Sequence, residues 1–381
     1  MENETKKSKL KFGLIGFAGL VIILGFIAGI FGEFFTKYYL SNVSFLRDLY
    51  FTEGGNLGQQ EIVIQAPKKV VIEQDLRLDQ VKKEISPAIL GIYRKKWISK
   101  SLLDKFFLPS EYLGQAVVLT SDGWLIASGD SLMDSSENLT IVYNQKAYSL
   151  DKIIKDPDTK TVFLKINAQN LPVIKLADFK NVTDGQHVFI YNSYLDYVKL
   201  VTIENKKYKP VIDKYDLLTF SQDLPKSIIL NKFFSTEDKG AAVFNFEGEI
   251  IGILTGDNKA MPISYLNPII AQVLKDEKIQ RPYLGIYYVN LAKVSELSEA
   301  DRQKLDKGAL LLPNVNGKAI LADSPLLNQL NKGDIITSIE GQNIDAENDL
   351  EDILLEYKSG QEIRLKYWHE EKENEISVIL K

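Results

Sequence analysis

The stretch STEDKGAAVFNFEGEIIGILTGD, residues 235–257, holds two apolar segments, 242–246 and 249–254, folded about a Glu247-Gly248 turn. Such segments, rich in β-branched and aromatic residues and separated by a short glycine-bearing turn, are predicted to form an antiparallel hairpin. In front of the hairpin stand three charged residues, Glu237, Asp238 and Lys239.

Working outward, residues 84–280 repeat the same grammar. Short strands are predicted at 88–93 (AILGIY), 116–119 (AVVL), 124–127 (WLIA), 139–143 (LTIVY), 161–166 (TVFLKI) and 187–191 (HVFIY). Asp122-Gly123 between two of them supplies the positive φ that a tight hairpin needs. Many antiparallel strands joined by tight turns imply a barrel or a sandwich, so the fold class is mainly β.

The chain has 381 residues, enough for two domains, with 45% hydrophobic and 25% charged residues. That is the composition of a globular protein. A net charge of -5 without a concentrated basic face argues against nucleic acid as a partner. There is no cysteine, which excludes disulfides, cysteine nucleophiles and thiolate metal sites. Only His187 and His369 are available to any histidine chemistry, so no metal site and no cofactor is expected.

Residues 12–33 open with FGLIGFAGLVIILGFIAGIFG, an uncharged run of the length that crosses a bilayer as a helix. Lys6, Lys7, Lys9 and Lys11 precede it, which predicts a cytoplasmic N-terminus and an extracytoplasmic bulk. A cleaved signal peptide is the competing reading, but the apolar run is long for one and no clean cleavage site follows. The division expected is a basic tail (1–11), a single membrane span (12–33), a juxtamembrane linker (34–74), a barrel domain (75–280) and a C-terminal domain (281–381).

The order of residues 114–127, DPDTKTVFLKI at 156–166, LPVIKLAD at 171–178, DGQHVFIYN at 184–192 and the hairpin at 245–254 resembles the trypsin-like domain of the HtrA/Deg serine proteases. The resemblance implies a double six-stranded β-barrel with its active site between the barrels. A serine protease needs a nucleophilic hydroxyl, a histidine and a carboxylate. Where that family writes T-N-N-H-V, this chain has Asp130 at the histidine; in D-P-x-T-D-L-A-V-L-K, Lys160 stands at the aspartate. In G-N-S-G-G-P, Lys239 stands at the serine and Glu237 at the oxyanion glycine.

Two alternatives follow for this site. The first is a domain without catalysis, in which Asp130, Lys160 and Lys239 form an ion-paired cluster. The second is a serine peptidase with a non-standard site, drawing on Ser128, Ser131 or Ser235. The first is the expectation: a homologue that is not an enzyme.

After Arg281-Pro282 the chain reads YLGIY (283–287), DSPL (323–326) and NKGDIITSIEGQN (331–343), which looks like the PDZ domain that follows the protease domain in that family. Such a domain offers loop amides to a peptide carboxylate and a strand edge to an extended peptide. Tyr283, Leu284, Gly285 and Ile286 are the expected loop and edge; Leu350 and Ile353 are assigned to the groove and Leu354 to the core. The acidic run Asp345, Glu347, Asp349, Glu351, Asp352 and Glu356 reads as a solvated face. Expected partners are peptide C-termini or unfolded proteins and the membrane. The resemblance adds homo-trimers or mixed oligomers with an active relative.

Overall fold

The computed structural model describes residues 19–32, 68–96, 102–129, 132, 138–235, 238 and 240–381. Residues 1–67 form one unit and residues 68–381 another. In the first, residues 19–32 are helical, and Ile22, Phe26 and Phe31 on that helix are exposed. Among the described residues no helix is long and apolar enough to cross a membrane. The basic tail, both ends of the expected span and most of the expected linker lie outside the described residues.

Helix α1, Lys68–Ile85, begins inside the stretch read as linker. Leu78, Val81 and Ile85 recur at helical spacing, and Val81 and Ile85 are buried against the barrels. They close on the Glu247-Gly248 turn: a Cβ at Gly248 would stand 3.2 Å from Ile85 and 3.4 Å from Val81. Arg77 Nε adds a bond of 3.0 Å to the Phe246 carbonyl. The pairing is between distant segments, which is why the helix does not show in the strand pattern.

Six strands close the first barrel: β1 Ile89–Arg94, β2 Tyr112–Val118, β3 Trp124–Ser128, β4 Leu139–Tyr143, β5 Lys146–Asp156 and β6 Thr161–Ile166. Their order around it is β1-β2-β3-β6-β5-β4. The Asp122-Gly123 turn joins β2 to β3, with Gly123 at φ +106° and only 2.2 Å between a Cβ there and the Ile166 carbonyl oxygen. No residue with a side chain fits that position.

The second barrel follows, with β7 His187–Asn192, β8 Tyr197–Tyr208, β10 Ser227–Leu230, β11 Ala242–Phe244, β12 Ile250–Leu254 and β13 Lys259–Pro262. It closes in the order β10-β13-β12-β11-β7-β8. Strand β9, Thr219–Phe220, leaves this barrel from the β8–β10 connection and pairs elsewhere. The hairpin predicted at 242–254 is β11 and β12, with Val243, Phe244, Ile250, Ile251 and Leu254 fully buried. The mainly β, double-barrel expectation is met.

Helix α2, Asn267–Asp276, leads to the C-terminal sheet: β14 Tyr287–Asn290, β15 Ala309–Leu311, β16 Ile335–Ile339, β17 Gln342–Asn343, β18 Glu362–His369 and β19 Lys372–Ile379. Helix α3, Leu350–Leu354, covers one face. The sheet runs β19-β18-β16-β15-β14-β9, so its last strand comes from the barrel domain.

At the end of β18, His369 Nδ1 lies 2.7 Å from Asp334 Oδ1. The Asp334 carboxylate raises the imidazole above its ordinary 6.5. Because the folded value is the higher one, this pair stabilises fully below 6.5 and the contribution is lost as pH rises through the folded value. An NMR titration should therefore place the His369 midpoint above 6.5, with Asp334→Asn bringing it back; a wild-type midpoint at or below 6.5 would contradict the pairing.

Candidate functional site

The loop before β14 is shaped by Gly285, which sits at φ +67° with its missing Cβ 2.7 Å from the Tyr283 hydroxyl and 2.8 Å from its ring. A side chain there would have to displace that ring. Tyr283 is held in turn by its hydroxyl, which donates to Asp323 at 2.7 Å. Ser324 Oγ donates to the Leu284 carbonyl at 2.5 Å, and Leu321 N–H to the Gly285 carbonyl at 2.9 Å. Leu284 and Ile286 are fully buried. The carbonyls are thus tied down behind the loop, while the Gly285 and Ile286 amides face the other way.

Those amides are not free. Gly285 N–H donates to Gln222 Oε1 at 3.0 Å and Ile286 N–H to Ser221 Oγ at 3.1 Å. Ser221 N–H returns a bond of 3.0 Å to the Ile286 carbonyl. Beyond them β9 runs antiparallel to β14, with Phe220 opposite Tyr287 and Thr219 opposite Tyr288. The edge expected to be open at Ile286 is therefore covered by the protein's own residues 219–222. No local signal announces this, since the partners lie more than sixty residues apart in sequence.

Leu350, Ile353, Leu354 and Tyr357 are all buried in the C-terminal core. The division expected between a groove pair and a core residue is not seen in their burial. Leu354 is the one that borders a cavity beside Ser221 and Gln222, while Leu350 is wholly enclosed.

The acidic run at the start of α3 is not a solvated face. Lys226, only 3% exposed, reaches from the barrel domain to Asp349 at 2.6 Å, Asp352 at 2.8 Å and Glu351 at 3.1 Å. Lys293 adds a bond of 2.5 Å to Asp349, and the buried Tyr288 hydroxyl donates to Glu351. Burial works against the charge on Lys226, but Glu351, Asp352 and Asp349 outweigh it and hold the ammonium above its usual range. Asp349 is pressed by burial toward neutrality and by Lys226 and Lys293 the other way; the cations win and its carboxyl falls to about 2. Glu351 goes up, because burial and its two acidic neighbours outweigh Lys226.

Of the triad-equivalent positions, Asp130, Glu237 and Lys239 lie outside the described residues, and with them the expected ion-paired cluster. Lys160 is exposed in the β5–β6 turn at φ +55°. Its carbonyl accepts from Gly129 N–H at 2.6 Å, so the residue before Asp130 does lie against Lys160. Below this turn Asp156 is buried, with Thr159 Oγ1 donating to it at 2.5 Å. Arg281 clamps it with two bonds, Nη1 to Oδ1 at 2.9 Å and Nη2 to Oδ2 at 2.5 Å, and reaches Asp158 at 2.9 Å.

On the other barrel Asp238 is completely buried. It accepts from Tyr197 Oη, from Lys199 Nζ at 2.5 Å and from Ser235 Oγ at 2.9 Å. Burial raises its carboxyl, but these donors together pull it below the usual range. A carboxylate so stabilised is a poor proton acceptor, so its bond to Ser235 orders the turn rather than activating the hydroxyl. His187 Nδ1 is bonded to Thr202 Oγ1 at 3.1 Å, and His369 belongs to the C-terminal domain.

Residues 282–380 match the PDZ domain family model. The solved HtrA-type protease AlgW with a decapeptide superposes with a TM-score of 0.53 at 17% identity, covering 79% of this chain and 97% of that one. The same protease with a tripeptide gives 0.55. The chain has the fold of the HtrA-type proteases. Among curated proteins, the chain is 25% identical over 280 residues to the probable periplasmic serine endoprotease DegP-like of Marinomonas sp. (strain MWYL1). That match takes in 70% of the chain but 56% of the relative, so the chain spans little more than half the length of this relative. It is 22% identical over 261 residues to the serine endoprotease DegS of Haemophilus influenzae, covering 62% of the chain and 75% of DegS.

These matches correct the expectation of a non-enzyme. Relatives matched along most of the chain are named serine endoproteases. Of the four family-matched positions, Asp130, Lys160, Glu237 and Lys239, three lie outside the described residues.

Proposed function

We propose that this chain is an envelope protein of the HtrA type that captures polypeptide C-termini with its PDZ groove and presents unfolded proteins for endoproteolysis. The observation that carries the capture is the loop at Tyr283–Ile286, whose adjacent Gly285 and Ile286 amides converge on two oxygens, Gln222 Oε1 and Ser221 Oγ, that lie 2.6 Å apart. The peptide-bearing solved relatives and the names of the curated ones support the same reading. The apolar run at 12–33, with exposed apolar side chains along its helical residues 19–32, supports a single-pass anchor with the bulk outside the cytoplasm. Assembly as trimers, with itself or with a relative, belongs to the proposal through the resemblance alone.

A C-terminal peptide library presented with free and with amidated ends to the full chain tests the capture. Binding that disappears on amidation is expected, and equal binding of both forms would refute it. Incubation with unfolded casein and a fluorophosphonate probe tests the proteolysis: cleavage with one labelled serine is expected. Intact casein without labelling would remove that half of the proposal. Alkaline carbonate extraction tests the anchor, which predicts retention in the membrane pellet and fails if the chain is released.

A further inference from the structure

We infer that residues 219–222 are an internal ligand of the PDZ groove, and that an incoming C-terminus binds by displacing them. This rests on the reading of the groove as a peptide site. The segment occupies it as a peptide adding to the sheet would: antiparallel to β14, paired through β9, with the Ser221 N–H on the Ile286 carbonyl. Where a terminal carboxylate would end, the chain turns away and supplies Ser221 Oγ and Gln222 Oε1 instead. Phe220 packs on Tyr287 with ring centres 4.7 Å apart. What remains open beside Ser221 and Gln222 is a cavity of about 20 Å³, no more than one water's worth.

The segment is built to leave. On its N-terminal side Val211, Ile212 and Tyr215 are mostly exposed, Ile212 at 90%, so no core holds that approach. On its C-terminal side Lys226 is fixed by the acidic cluster, which keeps a displaced segment tethered beside the groove. Tethering gives it an effective concentration on the order of millimolar. Against this, a free carboxylate makes charge-assisted bonds to the two amides, roughly twice as strong as bonds to a neutral hydroxyl or amide oxygen. The internal ligand thereby sets a threshold that excludes internal peptide segments and weak C-termini.

The test uses the full chain and a fluorescein-labelled peptide, Asp-Lys-Tyr-Asp-Leu-Leu-Thr-Phe-Leu, which repeats residues 213–220 and ends in a free leucine carboxylate where Ser221 stands. The double variant Ser221→Pro/Gln222→Ala removes the Ser221 N–H and both side-chain acceptors. It should bind the peptide at least tenfold more tightly than wild type, because the competitor is gone. Equal affinity of the two proteins would overturn the internal ligand and leave the groove as a peptide site. Absence of binding to both would refute the peptide site itself, and this inference with it. Hydrogen exchange on the wild type needs no variant: peptide should raise exchange at 219–222 while 285–288 stays protected. Peptide bound with 219–222 still protected would overturn the displacement.

Discussion

Replacing Lys226 by methionine should destabilise the folded chain by about 3–5 kcal/mol at pH 8, the usual cost of stripping a buried carboxylate of its partner. Three carboxylates face this one ammonium, and two of them, on Asp349 and Glu351, are at most 7% exposed. Lys293 still serves Asp349 and Lys207 still serves Asp352 at 2.9 Å, but Glu351 keeps only the Tyr288 hydroxyl. The pH dependence follows from the sign of each shift. In wild type Asp349 has its folded value depressed to about 2, so its contribution is present above the unfolded value near 4 and lost as pH falls through 2. Without Lys226 both Asp349 and Glu351 move up, and they stabilise the variant more as they take up protons. Urea denaturation should therefore show a smaller deficit at pH 5 than at pH 8. A second change, Glu351→Gln, should restore part of the loss. Unaltered stability of Lys226→Met at pH 8 would show that the cluster contributes nothing.

The cluster also marks the limit of what could be read from the chain. The strands of both barrels were legible because each carries its own signal, an apolar run bounded by a turn such as Asp122-Gly123 or Glu247-Gly248; their closure into two barrels came from the resemblance. The loop at Tyr283–Ile286 was legible through its resemblance to the PDZ domain, carried by YLGIY and NKGDIITSIEGQN. The acidic run was read as solvated because its cation is more than a hundred residues away, and a single lysine in a Pro-Lys-Ser context has nothing to distinguish it. Thr219–Phe220 was missed because a two-residue strand has no periodicity, and Ser221 and Gln222 look like ordinary turn residues. Arg281 alone carried a faint hint, a lone arginine ahead of Pro282 at the boundary between the domains.

Arg281→Ala should be the second large effect, again about 3–5 kcal/mol, because Asp156 is fully buried and takes a two-pronged bond from the guanidinium. Arg281→Lys should recover only a minor share: an ammonium keeps the charge but cannot reproduce the fork. The loss should be felt locally as well. Thr159 and Thr161 are bonded to each other and, through Thr159, to Asp156, so freeing that carboxylate loosens the turn that carries Lys160. Hydrogen exchange at 158–162 should rise in both variants. Equal protection in wild type and Arg281→Ala would mean that the turn stands without the clamp.

A closed barrel has no edge strand, and this chain has two of them. Among the described residues its liability to edge-to-edge aggregation is therefore confined to the C-terminal sheet. One border, β19, begins with Lys372, Glu373, Asn374 and Glu375, all exposed, and such charge discourages pairing between molecules. The other border, β14, carries Tyr287, Tyr288 and Val289 and has no such protection of its own. Covering it with Thr219 and Phe220 takes that border away as a template on which a second copy of the chain could pair.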